Sequence, residues 1–328
     1  MQHLSLLLLL LAAGPSQAQF HIGQNTTLDF ATVGEAQTVL TARDDYIQRL
    51  SPFDRAAKIL TDRETSEAEY LAAISANILP WTEPEKAKIN AAFEPLQAQL
   101  TALSLPLPPK ILLIRTDGDD EGGACYTRGN AIVFASPSLQ ESPGSLSRLL
   151  CHEIFHVLSR ANPELREKLY RVIGFHKCGE VSLPSDLEPR RITNPDAPII
   201  EHCVKVEVDG ESHWVAPVLF ANAAKIDPAK GGTFLNYLQF RLLAIDFDPN
   251  TGLRKSASPP HAPKFIAPNE AGGFFEQIGR NTRYIIHPEE ILADNFVHLI
   301  QGTQDLPSPG IVEEMARILK ETPGKTAR

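Results

Sequence analysis

The sequence lacks an excess of basic residues. It also lacks any apolar run long enough to span a membrane; the apolar run within its first 18 residues is shorter than that. Its 31 lysines and arginines are outnumbered by 40 aspartates and glutamates, which gives a formal net charge of −9. Nucleic-acid binding usually requires a basic face, so this balance argues against nucleic acid as a partner. It is equally unsuited to an anionic membrane surface. We therefore predict a soluble mature protein with no stable membrane insertion.

Cysteine is scarce, with 4 residues and no Cys-x-x-Cys motif, which argues against a cysteine-based zinc site. There is no Gly-x-Ser-x-Gly motif either. Cys151 lies one position before His152 on a predicted helix and points elsewhere, so a serine or cysteine hydrolase is disfavoured. An even cysteine count permits disulfides in an exported protein. Cys178 and Cys203 bracket a proline-rich loop, and we predict that they pair; four free thiols are the alternative.

The N-terminus has the pattern of a secretory signal peptide. An apolar run from Leu4 to Ala13 is broken only by Ser5 and ends at Gly14-Pro15. Ser16-Gln17-Ala18 then offers small residues at the two positions that a signal peptidase reads. The run is too short for an ordinary transmembrane helix. We predict cleavage after Ala18 and export to the periplasm or the medium.

The remaining length suffices for one large or two modest domains. Residues 19–105 are predicted to be a helical region, because 43–60 and 84–103 carry apolar residues at helical spacing. This region is interpreted as a subdomain or lid, with an inhibitory pro-segment as the alternative. Residues 106–328 mix strand and helix patterns and form the predicted catalytic domain, with a proline-rich insertion at about 175–260. The predicted fold class is α+β.

Several local signals place elements around the middle and the end of the chain. The acidic turn at Asp117–Gly123 is interpreted as a hairpin turn, since the twelfth position of a calcium loop starting at Asp117 is Arg128. Asp209-Gly210 is a hairpin signal. The segment 235–245 is compatible with a helix or a strand. The main predicted elements are strands at 110–115, 125–128 and 130–135, and helices from Ser142 or Ser145 to about Arg160, from Pro288 to Gln301 and over 311–320.

The chemistry is carried by the sequence His-Glu-Ile-Phe-His at 152–156. Two histidines four residues apart on a helix share one face, so both imidazoles can reach one metal ion. Glu153 is rotated from that face and can hold a metal-activated water. Zinc lowers the pKa of such a water to about 7, which lets a carboxylate deprotonate it at neutral pH.

A catalytic zinc site needs a third protein ligand. A third histidine six residues after His156 is excluded, because that position is Asn162. Glu290, in the helix predicted from Pro288, is the first choice as ligand. Asp294, one turn further on, can accept a hydrogen bond from the far nitrogen of a ligand histidine. Glu180, Glu201 and Glu289 are alternatives; His176, His202 and His213 lie in no motif.

The His-Glu-x-x-His helix, followed by a second helix with Glu-x-x-x-Asp, resembles the gluzincin zinc metallopeptidases, the thermolysin-like group. The resemblance covers the motif helix, the strands before it and the second helix, but not residues 19–105 or 175–260. It implies a zincin-like fold with a small mixed sheet and a Zn²⁺ cofactor. It also implies His152, His156 and Glu290 as ligands, Glu153 as general base and Asp294 as the outer partner. The substrate is then a peptide or protein.

The resemblance also implies a second electrophile and a strand to hold the substrate. Tyr284 and His287 are the first candidates for stabilising the oxyanion, with His261 and His213 as further ones. Strand 130–135 is predicted to be the edge strand that pairs with substrate. The segment around Arg190, Arg191 and 194–196 is predicted to wall the cleft. Competing interpretations are a non-catalytic binding protein on the same scaffold, against which Glu153 argues, and an amidase acting on cell-wall material.

Overall fold

The structure, a computed structural model, describes residues 20–254 and 264–322, which form a mixed α+β fold. The predicted signal peptide and His261 lie outside the described residues. The strands are β1 (Phe20–Ile22), β2 (Thr26–Phe30), β3 (Lys110–Thr116), β4 (Tyr126–Arg128), β5 (Ala131–Ala135), β6 (Phe175–Lys177), β7 (His202–Val208), β8 (Glu211–Ala221), β9 (Leu238–Ile245), β10 (Phe247–Asp248), β11 (Leu253–Arg254) and β12 (Phe265–Ile266).

The helices surround and connect two five-stranded sheets. They are α1 (Val33–Leu40), α2 (Asp45–Arg49), α3 (Pro52–Ala57), α4 (Glu67–Ala76), α5 (Glu83–Ala102), α6 (Pro143–Ala161), α7 (Pro163–Val172), α8 (Phe274–Ile278), α9 (Pro288–Gln301) and α10 (Pro309–Glu321). Within the described ranges, no helix has both the length and the apolar character needed to cross a bilayer.

The first sheet has the strand order β1-β2-β3-β5-β4, with β2, β3 and β5 parallel and β1 and β4 antiparallel at its edges. Helices cover both of its faces. Ile132 and Phe134 of β5 pack in the same apolar cluster as Phe155 of α6. Val133, which points the opposite way, belongs to a second cluster with residues of α1, α2 and α4. Burial on both faces explains why β5 is an unbroken apolar run rather than an alternating one.

This sheet changes two predictions. Residues 19–105 are not a separate helical region, because β2 pairs in parallel with β3, with Leu28 opposite Ile111. The edge strand nearest the motif helix is β4 and not 130–135, since β5 is hydrogen-bonded on both sides, to β3 and β4. The stretch 43–60 forms two helices, α2 and α3, which are divided at Ser51-Pro52, a break that the sequence predicts; Ser51 caps α3 by accepting from Asp54 N.

The predicted insertion contains most of a second sheet, which is fully antiparallel with the order β12-β9-β8-β7-β6. Asp209 and Gly210 connect β7 to β8 with φ angles of 54° and 81°, as a two-residue hairpin requires. In the segment 235–245, which was compatible with a helix or a strand, residues 235–237 end a 3₁₀ helix and Leu238–Ile245 forms β9, which pairs along its whole length with β8.

All four cysteines are free thiols, including the predicted disulfide pair. Cys203 lies on β7, while Cys178 directly follows β6 and donates its N–H to Glu201 O at 2.8 Å; both cysteines are buried. A hydrogen bond between the two sulfur atoms, followed by burial, raises the pKa of Cys203. The structure therefore brings the predicted pair together without the covalent bond.

Helices α6 and α9 hold the motif residues and pack against each other, with the Phe155 and Phe296 rings 5.5 Å apart. Ser142 caps α6 by accepting from Ser145 N, and Pro143 occupies its first turn. The helix ends at Asn162, whose side chain donates to Leu158 O at 2.8 Å and to Pro106 O at 2.7 Å. These contacts fix the orientation of the histidine-bearing turns toward α9.

A buried polar cluster connects α3 to the loop before β7. Lys58 Nζ donates to Glu121 Oε2 at 2.8 Å, and both side chains are almost fully buried. Lys58 also donates to Thr193 O at 3.0 Å, while Thr193 Oγ1 donates to Asp54 at 2.8 Å. Burial raises the pKa of Glu121 to about 7, although the charge of Lys58 acts to lower it. The N-terminal helices thereby hold the loop of residues 191–198 in place.

We expect Lys58→Met to lower the free energy of unfolding by about 3–5 kcal/mol at pH 8, because it leaves the buried Glu121 carboxylate without a counter-charge. The loss should be smaller at pH 5. The folded-state pKa of Glu121 is raised above its ordinary value to about 7, so in the folded protein the Glu121 carboxyl is mostly protonated at pH 5. A neutral carboxyl needs no cation. Denaturant unfolding at both pH values checks this, with the exposed Lys168→Met as control; equal losses at the two pH values would contradict it.

Candidate functional site

Two histidine nitrogens converge on one glutamate oxygen where α6 faces α9. His152 Nε2 lies 3.1 Å from Glu290 Oε2, and His156 Nε2 lies 3.5 Å from the same oxygen. The three side chains come from positions 152, 156 and 290, so the structure brings together the three residues predicted as metal ligands. His156 and Glu290 are each only 1% exposed. Water therefore has little access to this point except from the His152 side.

Each of these three side chains has a partner on its far side. His152 Nδ1 lies 3.3 Å from Asp294 Oδ1, and His156 Nδ1 lies 3.1 Å from Glu289 Oε1. The other oxygen of Glu290, Oε1, accepts from Asn194 Nδ2 at 2.6 Å. Such outer contacts fix the ring orientation and tautomer of metal-binding histidines. All three side chains are thus held with one donor atom directed inward.

The outer partners are themselves held. Asp294 accepts from Arg148 Nη2 at 2.8 Å and from the Thr282 hydroxyl. Glu289 accepts from Ser159 Oγ at 2.7 Å and from the Tyr170 hydroxyl. Because these contacts come from α6, α7 and the loop before α9, the whole surround is rigidly connected to the helices.

Two buried polar atoms at the centre of the site have no hydrogen-bond partner among the described residues: Glu153 Oε2 and His156 Nε2. An unsatisfied buried polar atom costs about 1–3 kcal/mol, so such atoms are rare without a ligand to satisfy them. The donor atoms of His152, Glu153 and His156 lie within 4.8 Å of one another. Two imidazoles and carboxylates in this arrangement suit a divalent cation.

The charges at the site follow from its carboxylates. Burial acts to lower the pKa of His152, but hydrogen bonds to Asp294 and Glu290 outweigh it and raise the pKa to about 9. Burial likewise opposes ionisation of Glu290, yet the charge of His156 and the hydrogen bond from His152 hold its pKa well below the ordinary value. Without a metal the histidines therefore carry protons that a divalent cation would replace.

Glu153 has the opposite perturbation. Burial, followed by the negative charge of Asp196, raises its pKa to about 8. A carboxyl group whose pKa lies near neutrality can both take up and release a proton at physiological pH. Glu153 is 2% exposed and borders the cleft that leads to the histidines. Glu153 can therefore exchange a proton with a group in the cleft.

A cleft of about 460 Å³ opens onto His152, Glu153 and Glu290. Its walls come from residues 123–125, which lead into β4, from the start of α6 and from Tyr284. Tyr284 is 45% exposed, and its ring lies 6.2 Å from that of His152 with an interplanar angle of 30°. Of the predicted oxyanion residues within the described ranges, Tyr284 is the one that lines this cleft.

The other predicted electrophile, His287, has a different position. It is the N-cap of α9, where its Nδ1 accepts from Glu289 N at 3.1 Å. It is 6% exposed, and burial, followed by the nearby His202, lowers its pKa to about 3. A ring that caps a helix and stays neutral is not directed at the cleft. His213 lies on β8, with its Nε2 3.5 Å from Lys264 Nζ.

The alternative ligands lie away from the histidine nitrogens that face Glu290. Glu180 pairs with Arg49 at 2.9 Å, and Glu201 pairs with Arg166 at 3.2 Å. Glu289 contacts His156 on its outer nitrogen. Its outer role was missed in the sequence, although its position beside Glu290 at the start of a helix was a signal.

Asn194 and Asp196 were predicted only as wall residues. Asp196 does line the cleft. Arg190 and Arg191 do not; they border other cavities behind the loop. Asn194 binds Glu290 directly, a contact for which the sequence offers no signal other than the Asn-Pro-Asp turn itself.

Comparison of the chain with protein-family models, with curated proteins and with solved structures gave no match.

Proposed function

We propose that the protein is a zinc-dependent hydrolase that cleaves peptide bonds, built on a zincin-like scaffold. The observation that carries this proposal is the convergence of His152 Nε2 and His156 Nε2 on Glu290 Oε2, at 3.1 and 3.5 Å. With zinc–ligand bonds of about 2.0–2.1 Å, the ligand atoms of a tetrahedral site lie about 3.3 Å apart. The donor atoms thus have the spacing that one zinc ion would require.

Zinc, when bound, acidifies a water molecule and polarises the scissile carbonyl. The chain's own residues supply the remaining functions. Glu153, with its unpartnered Oε2 beside the histidines, takes the proton from the water and passes it to the leaving amine. Tyr284, at the exposed rim next to His152, is the candidate donor to the oxyanion. The outer partners Asp294 and Glu289 keep the histidine rings oriented throughout.

An extended peptide is the proposed substrate because the cleft runs beside an edge of the first sheet. Residues 123–125 line the cleft immediately before the edge strand β4. Because Thr127 N of β4 already donates to Asp196, the substrate backbone is proposed to lie along residues 123–125 rather than to pair with β4 itself. The acidic protein is proposed to be exported, on the strength of the signal-peptide pattern in residues 1–18.

Metal removal tests the proposal. The purified mature protein should contain about one zinc per chain and cleave a mixed library of quenched fluorescent peptides. Dialysis against a strong chelator should abolish cleavage, and about one equivalent of Zn²⁺ should restore it.

The possible failures of that experiment are distinct. Protein without stoichiometric zinc, or with chelator-resistant activity, would contradict the metal centre. Zinc without any hydrolysis would indicate a binding protein on this scaffold. Activity on cell-wall fragments but not on peptides would replace the substrate class and leave the metal chemistry intact.

A further inference from the structure

We propose that Asp196 supplies a fourth protein donor, a carboxylate oxygen, to the metal of the candidate site. This inference rests on the proposed function, because it concerns the same metal centre. It goes beyond the ligand set of two histidines and Glu290, and it makes the loop before β7 part of the site.

Asp196 lies close to two of the proposed metal ligands. A donor atom of Asp196, one of His156 and one of Glu290 all lie within 4.8 Å of one another. This is a second metal-sized group; it shares His156 with the group of His152, Glu153 and His156, and it shares His156 and Glu290 with the proposed ligand set. His156 Nε2, in a side chain that is fully buried, has no hydrogen-bond partner among the described residues. His156 Nδ1 already contacts Glu289, so this unsatisfied nitrogen is the donor atom that His156 has left for a metal shared with Asp196.

The carboxylate of Asp196 is held in place through one of its two oxygens. Asp196 Oδ1 accepts from Thr127 N and from Thr127 Oγ1, both at 2.7 Å. No hydrogen bond in the described part of the chain reaches Oδ2. The neighbouring cation, Arg160, donates to the main-chain oxygens of Pro195 and Asp196 at 3.1 Å rather than to the carboxylate. One oxygen is thus held in place while the other remains available.

The centre of the site collects several acidic groups. Glu153, Glu290 and Asp196 bring three carboxyl groups to the centre of the site, and no described residue forms an ion pair with Asp196. Burying several carboxylates together is costly unless a cation compensates them. A divalent ion between them would supply that compensation, and oxygen donors are well suited to it.

The loop of residues 191–198, which carries Asp196, is fixed on both sides. Asn194, two residues before Asp196, holds Glu290 Oε1 at 2.6 Å and accepts from Asp196 N at 2.9 Å. Behind it, Thr193 is bound by Lys58 and Asp54 of the N-terminal helices. The same short turn therefore positions Glu290 and presents Asp196. Zinc can expand to five-coordination, so a fourth protein donor still leaves a place for water.

Asp196→Asn tests the assignment, because the amide oxygen can still accept from Thr127 while the donor charge is lost. We expect the zinc dissociation constant to rise by about 10–100-fold, measured by competition with a chromophoric chelator. The visible absorption of the Co²⁺-substituted protein should also change, since its bands depend on the number and geometry of the ligands. Asp186→Asn, at an exposed position of the same long connection, is the control and should alter neither quantity.

Thermal unfolding of the metal-free variants shows whether the fold is retained. If Asp196→Asn is not folded, Asp196→Ser serves in its place, since its hydroxyl can also accept from Thr127. A folded variant with unchanged zinc affinity and an unchanged cobalt spectrum, beside a wild type that binds zinc and cleaves peptides, overturns the role of Asp196 alone. A wild type without stoichiometric zinc overturns both this inference and the proposed function.

Discussion

Glu153→Gln is expected to lower kcat/KM for peptide cleavage by about 10²–10⁴-fold and to leave the zinc content unchanged. Glutamine has the same shape but cannot take a proton, so the substitution removes the chemical function and keeps the packing. The effect should be large because, among the described residues, Glu153 Oε2 is the unpartnered carboxylate oxygen that is buried beside the histidines, whereas Asp196 is held by Thr127 and is proposed to bind the metal.

The matched control for this prediction is Glu141→Gln. Glu141 also lines the cleft, but it is exposed and belongs to the turn before α6. It should retain activity within a few-fold of the wild type. If Glu153→Gln kept more than about a tenth of the wild-type rate, the assignment of Glu153 as the base would be wrong. If it lost zinc as well, Glu153 would be acting as a ligand.

The motif helices could be predicted from the sequence because their signals are local. Residues that act within one turn mark where the two helices begin: Ser142 and Pro143 for α6, and Pro288 for α9. The relation between His152 and His156 follows from helix geometry alone. The choice of Glu290 rested instead on the helical spacing of Glu290 and Asp294 and on the resemblance, since more than a hundred residues separate Glu290 from the histidines.

What could not be predicted depends on contacts between distant segments. Strand β2 reads as the start of a helical region, yet it pairs with β3, and only the completed sheet reveals this. The proposed role of Asp196 depends on its contacts with Thr127 and on its closeness to Glu290, and no periodicity in residues 175–200 indicates either. Nor does any periodicity indicate that Asn194 contacts Glu290. The proline-rich loop was recognised as irregular, but its irregularity is what lets two polar side chains reach a site between helices.

His287 shows why closeness along the chain is a weak guide to direction. It precedes Glu290 by three residues, which suggested a role in the cleft. At the N-cap of α9 its ring must turn back to accept from Glu289 N, and so it lies on the opposite side of the helix start. Tyr284, further from Glu290 in sequence, is 45% exposed and lines the cleft.

The adjacent glutamates of α9 offer the second large effect. Glu290→Gln should weaken zinc binding far more than Glu289→Gln, because Glu290 faces both histidine Nε2 atoms whereas Glu289 contacts only the outer nitrogen of His156. Loss of an outer partner costs about 10–100-fold in metal affinity. We expect Glu289→Gln to fall within that range and Glu290→Gln to exceed it, with loss of activity at ordinary zinc concentrations.

Competition with a chelator gives the two dissociation constants on one scale, and Glu313→Gln, at an exposed position of α10, controls for the change of charge. Glu289 also accepts from Ser159 and Tyr170, so its substitution should reduce the free energy of unfolding of the metal-free protein as well. Glu290→Gln should reduce it too, because the two histidines stabilise the Glu290 carboxylate in the metal-free protein, so it is the zinc affinity that distinguishes the two variants. The reverse order of zinc affinities would make Glu289 the ligand and Glu290 its support. Equal, small effects would mean that neither glutamate holds the metal.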